Sequence, residues 1–168
     1  MSHTRTTLYL ALLTALSLSL FLLEGLVPVP FLAPGAKLGF ANLVTVIAIC
    51  TLPRWQDALA VLLVRIMLSA LFGGGPGIML YSLSGGLLSF AVMAGLQKTG
   101  RFSLIGISCA GGFAHNIGQL AAAALTLATP DLFLYLPILG PCGLLTGGMI
   151  GYVAELTIRK ITPHILKD

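Results

Sequence analysis

Long apolar runs, each closed by proline, glycine or an isolated charge, follow one another along nearly the whole chain. Only 8% of its 168 residues are charged. Soluble domains carry about 25%, so water cannot be the main solvent of this fold. Hydrophobic residues make up 57% of the chain, and the mean hydropathy is +1.02. A helix crossing a hydrocarbon core of about 30 Å needs about 20 apolar residues. Six such spans fit, at about 8–27, 38–53, 58–72, 77–96, 103–129 and 132–158. The expected fold is therefore an all-α bundle of six transmembrane helices, a single transmembrane domain with no separate soluble one. The first run is too long for the apolar core of a signal peptide, and is expected to remain as a span.

The second run is short for a crossing unless Pro28-Val29-Pro30-Phe31-Leu32-Ala33-Pro34-Gly35 extends it. Such helix-breaking sequence enters a bilayer only where protein buries it or it lines a cavity. The third run ends at Gly73-Gly74-Gly75-Pro76-Gly77, and the fifth stops before Pro130-Asp131.

Orientation follows from the cations. With the N-terminus inside, Arg5, Arg54, Lys98, Arg101, Arg159, Lys160 and Lys167 collect on the cytoplasmic side. Lys37 alone stays outside, and Arg65 lies within a span. Cytoplasmic loops carry such an excess, so both termini are expected inside, in the cytoplasmic membrane. The net charge of +4 does not indicate nucleic acid, because no basic stripe with interleaved aromatics is present. Cys50, Cys109 and Cys142 sit singly in apolar runs, as small packing residues rather than metal ligands or a disulfide framework.

Helices in lipid use small residues to bring their backbones together. Gly143-x-x-x-Gly147-x-x-x-Gly151 is one such face, Ala110, Ala114 and Gly118 a second, and Ala11-x-x-x-Ala15 a third. Each serves packing within the bundle or contact with another subunit.

Ionisable groups at membrane depth need a partner or a wet cavity. Arg65 is the sharpest case, lying near the middle of the third span. Glu24 can pair with Arg65 or Lys37, and Asn42 adds an amide. His115 and Gln119, four residues apart, share a helix face, with Asn116 beside them. Glu155 can pair with Arg159. Placed on the topology, Glu24, Lys37, Asn42, Arg65, His115, Asn116 and Gln119 fall between mid-bilayer and the outer side. We expect them to form an outward-facing ligand pocket favouring an anionic or zwitterionic solute. Phe31, Phe40, Phe72 and Tyr81 are available for an apolar portion.

These residues also carry a family likeness. Pro34-Gly35-Ala36-Lys37-Leu38-Gly39-Phe40-Ala41-Asn42, Arg65 before the glycine turn, Tyr81-Ser82-Leu83-Ser84-Gly85-Gly86 and Gly111-Gly112-Phe113-Ala114-His115-Asn116-x-x-Gln119 resemble the Gx transporter family. That family is also labelled heptaprenyl diphosphate synthase component I. It is similar in turn to the substrate-binding S components of energy-coupling factor transporters. The resemblance implies a six-helix bundle that binds a small ligand near its outer side. It also implies docking, through Ala11 and Ala15, on a transmembrane coupling protein driven by two ATPases. It implies no particular ligand and no cofactor.

The enzyme label conflicts with the residues. Chain-elongating prenyl synthases hold Mg²⁺ on a diphosphate with clustered carboxylates, whereas Asp57, Asp131 and Asp168 are far apart. No Walker A loop is present, so ATP-driven work would fall to partners. The sequence therefore suggests a non-catalytic solute-capture subunit. The alternative is a non-catalytic membrane accessory subunit for polyprenyl diphosphate or quinone synthesis, or for flavin- or quinone-linked electron transfer. A self-sufficient secondary transporter would carry repeated halves, and none are evident.

Overall fold

The computed structural model describes residues 3–26 and 39–165. All regular structure among them is helical: α1 (His3–Gly25), α2 (Ala41–Thr51), α3 (Trp55–Ser69), α4 (Gly75–Thr99), α5 (Leu104–Thr126) and α6 (Leu136–Ile165). The six-helix bundle expected from the sequence is thus observed. Lys37 and the proline-rich 28–35 segment lie outside the described residues.

Among the described residues, four stretches are long and apolar enough to cross a membrane: Thr4–Gly25, Trp55–Phe72, Gly75–Thr99 and Pro130–Ile161. The chain is a multi-pass membrane protein. On α1, Leu13, Ser17, Phe21 and Glu24 are buried at helical spacing, while Leu8, Leu12, Leu16 and Leu23 are exposed. A helix with apolar residues on both its inner and outer faces suits lipid, not water.

The other two helices are different. α2 has 11 residues and so spans about 16 Å, roughly half the hydrocarbon thickness. Seven of its residues are buried, Asn42 and Thr45 among them. It is a core element wedged against α1, α3 and α6, and its described helix is too short to cross alone. α5 is long, with 23 residues, but carries His115 and Asn116 on its buried surface. It packs most extensively against α4 and α6. The polar side chains Asn42, Thr45, His115 and Asn116 on these two helices, like Glu24 of α1 and Arg65 of α3, are buried within the protein.

Glycine sets the α4–α5–α6 packing. A Cβ placed on Gly112 would lie 2.2 Å from the Gly143 carbonyl oxygen, and one on Gly147 would lie 2.4 Å from the Ser108 carbonyl oxygen. Backbones this close leave no room for any side chain, so the Gly143/Gly147/Gly151 face packs within the bundle. On the other side of α5, a Cβ on Gly118 would meet the Ser84 carbonyl oxygen at 2.6 Å. Ala114 is buried on this helix as well.

The α3–α4 connection follows its sequence. A π-helical turn, Ala70–Gly74, runs into Gly75 at φ +64°, and Pro76 then occupies the first turn of α4. Glycine accepts the left-handed conformation without cost, and proline suits a position that needs no backbone donor. At the other end of the bundle, Ser103 caps α5 through the Gly106 amide, and Glu155 pairs with Arg159 at 2.6 Å as expected.

Three contacts fix which helix ends lie together. Tyr9 bonds Thr51 at 3.0 Å, the Cys50 thiol donates to Gln97 at 3.3 Å, and Gly151 lies against Ile105. The start of α1 and the end of α6 therefore lie at the same end of the bundle.

Candidate functional site

The polar cluster lies in the other half of the bundle. Glu24, near the end of α1, is 3% exposed and accepts a hydrogen bond from the Gly39 amide. That bond ties the end of α1 to the entry of α2, where Gly39 adopts φ +84°. Asn42 follows in the first turn of α2 and is buried.

Arg65, on α3, is 2% exposed. Its guanidinium carbon lies 5.5 Å from the centroid of the Phe21 ring, within reach of a cation–π interaction. It is near enough to Glu24 of α1 and to His115 of α5 to interact electrostatically with both. The Nε of Arg65 and the Nδ1 of His115 are buried without a hydrogen-bond partner among the described residues. Buried polar groups nearly always have one, so two such atoms in one cluster mark unspent hydrogen-bonding capacity.

Asn42, His115 and Asn116 also line a common cavity with Ser108 and Thr146. Its free volume is about 10 Å³, room for roughly one water molecule. A small organic solute does not fit this hollow as it stands.

The seven sequence candidates therefore divide. Glu24, Arg65 and His115 converge, and Asn42 and Asn116 meet His115 at the cavity. Asn116 has its own partner, because its Nδ2 donates to the Leu139 carbonyl of α6 at 2.6 Å. Gln119 shares the His115 face as its spacing predicts. Both pack on Gly85 of α4, where an added Cβ would meet Gln119 Cγ at 2.8 Å and His115 Cε1 at 3.0 Å. Lys37 lies outside the described residues. Of the aromatic candidates, Phe72 is 64% exposed and faces away from the cluster. Phe40 is also exposed, Tyr81 is half-buried, and Phe31 lies outside the described residues.

Sequence reasoning missed Phe21, Ser108 and Thr146. Phe21 was findable, standing three residues before Glu24 and so on the same face of α1. Ser108 and Thr146 carry no such signal, since lone hydroxyl residues in apolar helices commonly bond their own backbone. Thr146 does so, to the Cys142 carbonyl at 2.9 Å.

Ala11 and Ala15, proposed as a docking face, are exposed on α1, on the side away from Leu13 and Ser17. The cysteines are free thiols in α2, α5 and α6.

No curated protein and no solved structure matches the chain. The sequence model of the family described as heptaprenyl diphosphate synthase component I matches residues 13–157. That match runs from the middle of α1 through most of α6, and takes in Glu24, Arg65 and His115 with the glycine contacts of α4, α5 and α6. The chain belongs to the heptaprenyl diphosphate synthase component I family.

Proposed function

We propose that this protein is a substrate-binding membrane subunit of an energy-coupling-factor-like uptake system, and that it captures a small anionic or zwitterionic solute at Arg65. The observation that carries this reading is a guanidinium buried at membrane depth with Nε unbonded, beside His115 with Nδ1 unbonded. An arginine in that setting is costly, and its planar donor fork matches carboxylate or phosphate oxygens. Glu24 balances the charge and suits the cationic part of a zwitterion. Asn42 and Gln119 complete the proposed site beside Asn116, whose amide nitrogen is bonded to α6, with Lys37 on the chain leading into α2. The transmembrane coupling protein and its ATPases would dock through Ala11 and Ala15, small residues exposed where a partner helix can approach. The protein would sit in the cytoplasmic membrane with both termini inside.

The present cavity is too small for such a solute, so binding requires a wall to yield. The backbone contacts among α4, α5 and α6 leave no slack. The movable wall is therefore on the α1–α2 side, where Glu24, Asn42 and Phe21 sit.

A second reading takes the family description at its word. The chain would be a non-catalytic accessory subunit of a multi-component polyprenyl diphosphate synthase, with Ala11 and Ala15 meeting a partner. Mass spectrometry of small molecules retained by the purified protein in lipid nanodiscs separates the two. Solute capture predicts an anionic or zwitterionic compound in wild type, lost from Arg65→Gln while the variant still unfolds cooperatively. Copurification of a prenyl-chain synthase, with no retained solute and no uptake into vesicles, would establish the second reading.

A further inference from the structure

The basic end of the bundle, opposite the Arg65 centre, carries a surface that the solute-binding reading does not use. We propose that the α2–α3 and α4–α5 turns form a binding site for an anionic phospholipid. Its phosphate is held by Arg54, Lys98 and Arg101, and its glycerol and upper acyl region lies against Trp55 and Phe102. The proposal is independent of whether the protein captures a solute.

The placement rests on contacts already described. Cys50 bonds Gln97, which joins the end of α2 to the end of α4. Arg54 and Trp55 stand four and five residues after Cys50, and Lys98 follows Gln97 directly. Lys98 Nζ lies 5.9 Å from the centroid of the Trp55 ring, so the two turns touch through a cation and an indole. Gly100, at φ +64°, turns the chain, and Arg101 and Phe102 come next. Arg54, Lys98 and Arg101 are all exposed. Trp55 is 51% exposed and Phe102 is 53% exposed.

Among the described residues, two acids lie at this end. Glu155 is paired with Arg159, and Asp57 stands in the first turn of α3. Three cations face one nearby carboxylate, leaving net positive charge beside two aromatic rings.

That combination selects a lipid surface over a soluble acidic partner. Indole and phenyl rings at the ends of membrane helices settle at headgroup level, where one side is apolar and the other wet. Long basic side chains reach outward from the same level to the phosphate layer. Each Lys or Arg near an anionic leaflet contributes about a fivefold gain in partitioning, or about 1 kcal/mol. The helices also hold this surface in the leaflet, where lipid is present at far higher concentration than any soluble protein.

Trp55 is the sole tryptophan of the chain, so it reports on its own neighbours. The protein is reconstituted in phosphatidylcholine vesicles containing phosphatidylglycerol, with one or the other lipid brominated in its acyl chains. Quenching of Trp55 then gives the relative affinity of the two lipids for this site. The expected result is a preference for the anionic lipid of about fivefold to 25-fold, that of one or two effective cations. The preference should fall towards unity in Arg54→Gln/Lys98→Gln/Arg101→Gln and persist in Arg159→Gln at the same end. Raising salt to about 0.5 M should weaken it in wild type, because exposed charges are screened; this arm needs no variant. Equal quenching by both lipids in wild type, or a preference that survives the triple substitution, overturns the proposal. Loss of the preference on adding millimolar inorganic phosphate in sodium chloride of matched ionic strength would also overturn it, by assigning the cations to a soluble anion.

Discussion

The Arg65 guanidinium stacks 5.5 Å from the centre of the Phe21 ring, and both residues are shut away from the bundle surface, at 2% and 4% exposure. This contact holds α3 against α1 at the level of the polar centre. Phe21 therefore orients the cation on which the functional reading depends, as well as filling space. Desolvated cation–π pairs are worth up to about 2 kcal/mol. A double-mutant cycle of Phe21→Leu with Arg65→Met is expected to give a coupling energy of about 1–2 kcal/mol. The measurement is reversible unfolding in mixed micelles. A coupling near zero would reduce Phe21 to a packing residue.

The glycine contacts make a sharper forecast. An alanine at Gly112 would place its methyl 2.2 Å from the Gly143 carbonyl oxygen, so α5 and α6 would have to separate. Overpacking of this kind costs about 1–3 kcal/mol and occasionally more. Gly95, on α4, has nothing within 4 Å of an added Cβ. There alanine should stabilise the helix by about 0.5–1 kcal/mol, by restricting the unfolded chain. The expected outcome is a lower thermal midpoint for Gly112→Ala and a higher one for Gly95→Ala. Similar effects from both would refute backbone-to-backbone packing at Gly112.

Much of this architecture was legible in the residues. The apolar runs gave the number of helices, because few charges can be buried in lipid and each one interrupts a run. The Gly143/Gly147/Gly151 spacing gave the α6 packing face, because three residues one turn apart can only lie on one side. His115 and Gln119 shared a face for the same reason. The roles of α2 and Asn116 were less accessible. That α2 is a buried wedge depends on which neighbours surround it, and hydropathy does not distinguish a helix facing lipid from one facing apolar protein. Asn116 read as part of the ligand group, yet its amide turns one residue round the helix from His115 towards the Leu139 carbonyl. The size of the cavity was not readable, since it is set by differences of an ångström between packed backbones.

The Asn116 bond separates structural from binding roles within the cluster. Interhelical hydrogen bonds in membrane proteins contribute about 0.6 kcal/mol on average and at most about 1.7 kcal/mol. Asn116→Leu should lower stability by an amount in that range and leave Arg65 able to bind. Arg65→Gln should lose retained solute, with a fall in stability no larger than about 1–2 kcal/mol, that of its Phe21 contact. Unfolding curves and retained-solute measurements on both variants test the division. If Asn116→Leu alone abolished binding at unchanged stability, Asn116 would belong to the ligand group, as the sequence first suggested.

The end of α5 offers a gain in stability. The Leu127 amide bonds the Ala123 carbonyl and the Thr129 amide bonds the Ala124 carbonyl, each at 3.0 Å. Between them Ala128 adopts φ 50°. The six-residue closure from Thr129 to Ala124 is that of a Schellman motif, whose left-handed position is usually glycine. An L-residue with a Cβ is strained there by about 1–2 kcal/mol. Part of the relief on Ala128→Gly is offset, because glycine has more unfolded-state freedom to lose, about 0.4–1 kcal/mol. The net expectation is a stabilisation of about 0.5–1 kcal/mol, the difference between those terms, seen as a raised unfolding midpoint. Ala128→Val should move the midpoint the other way, because β-branching makes the left-handed conformation worse. A fall in stability with glycine would mean that the turn is held by the 3₁₀ segment Pro130–Tyr135 that follows, and not by the closure of α5 itself.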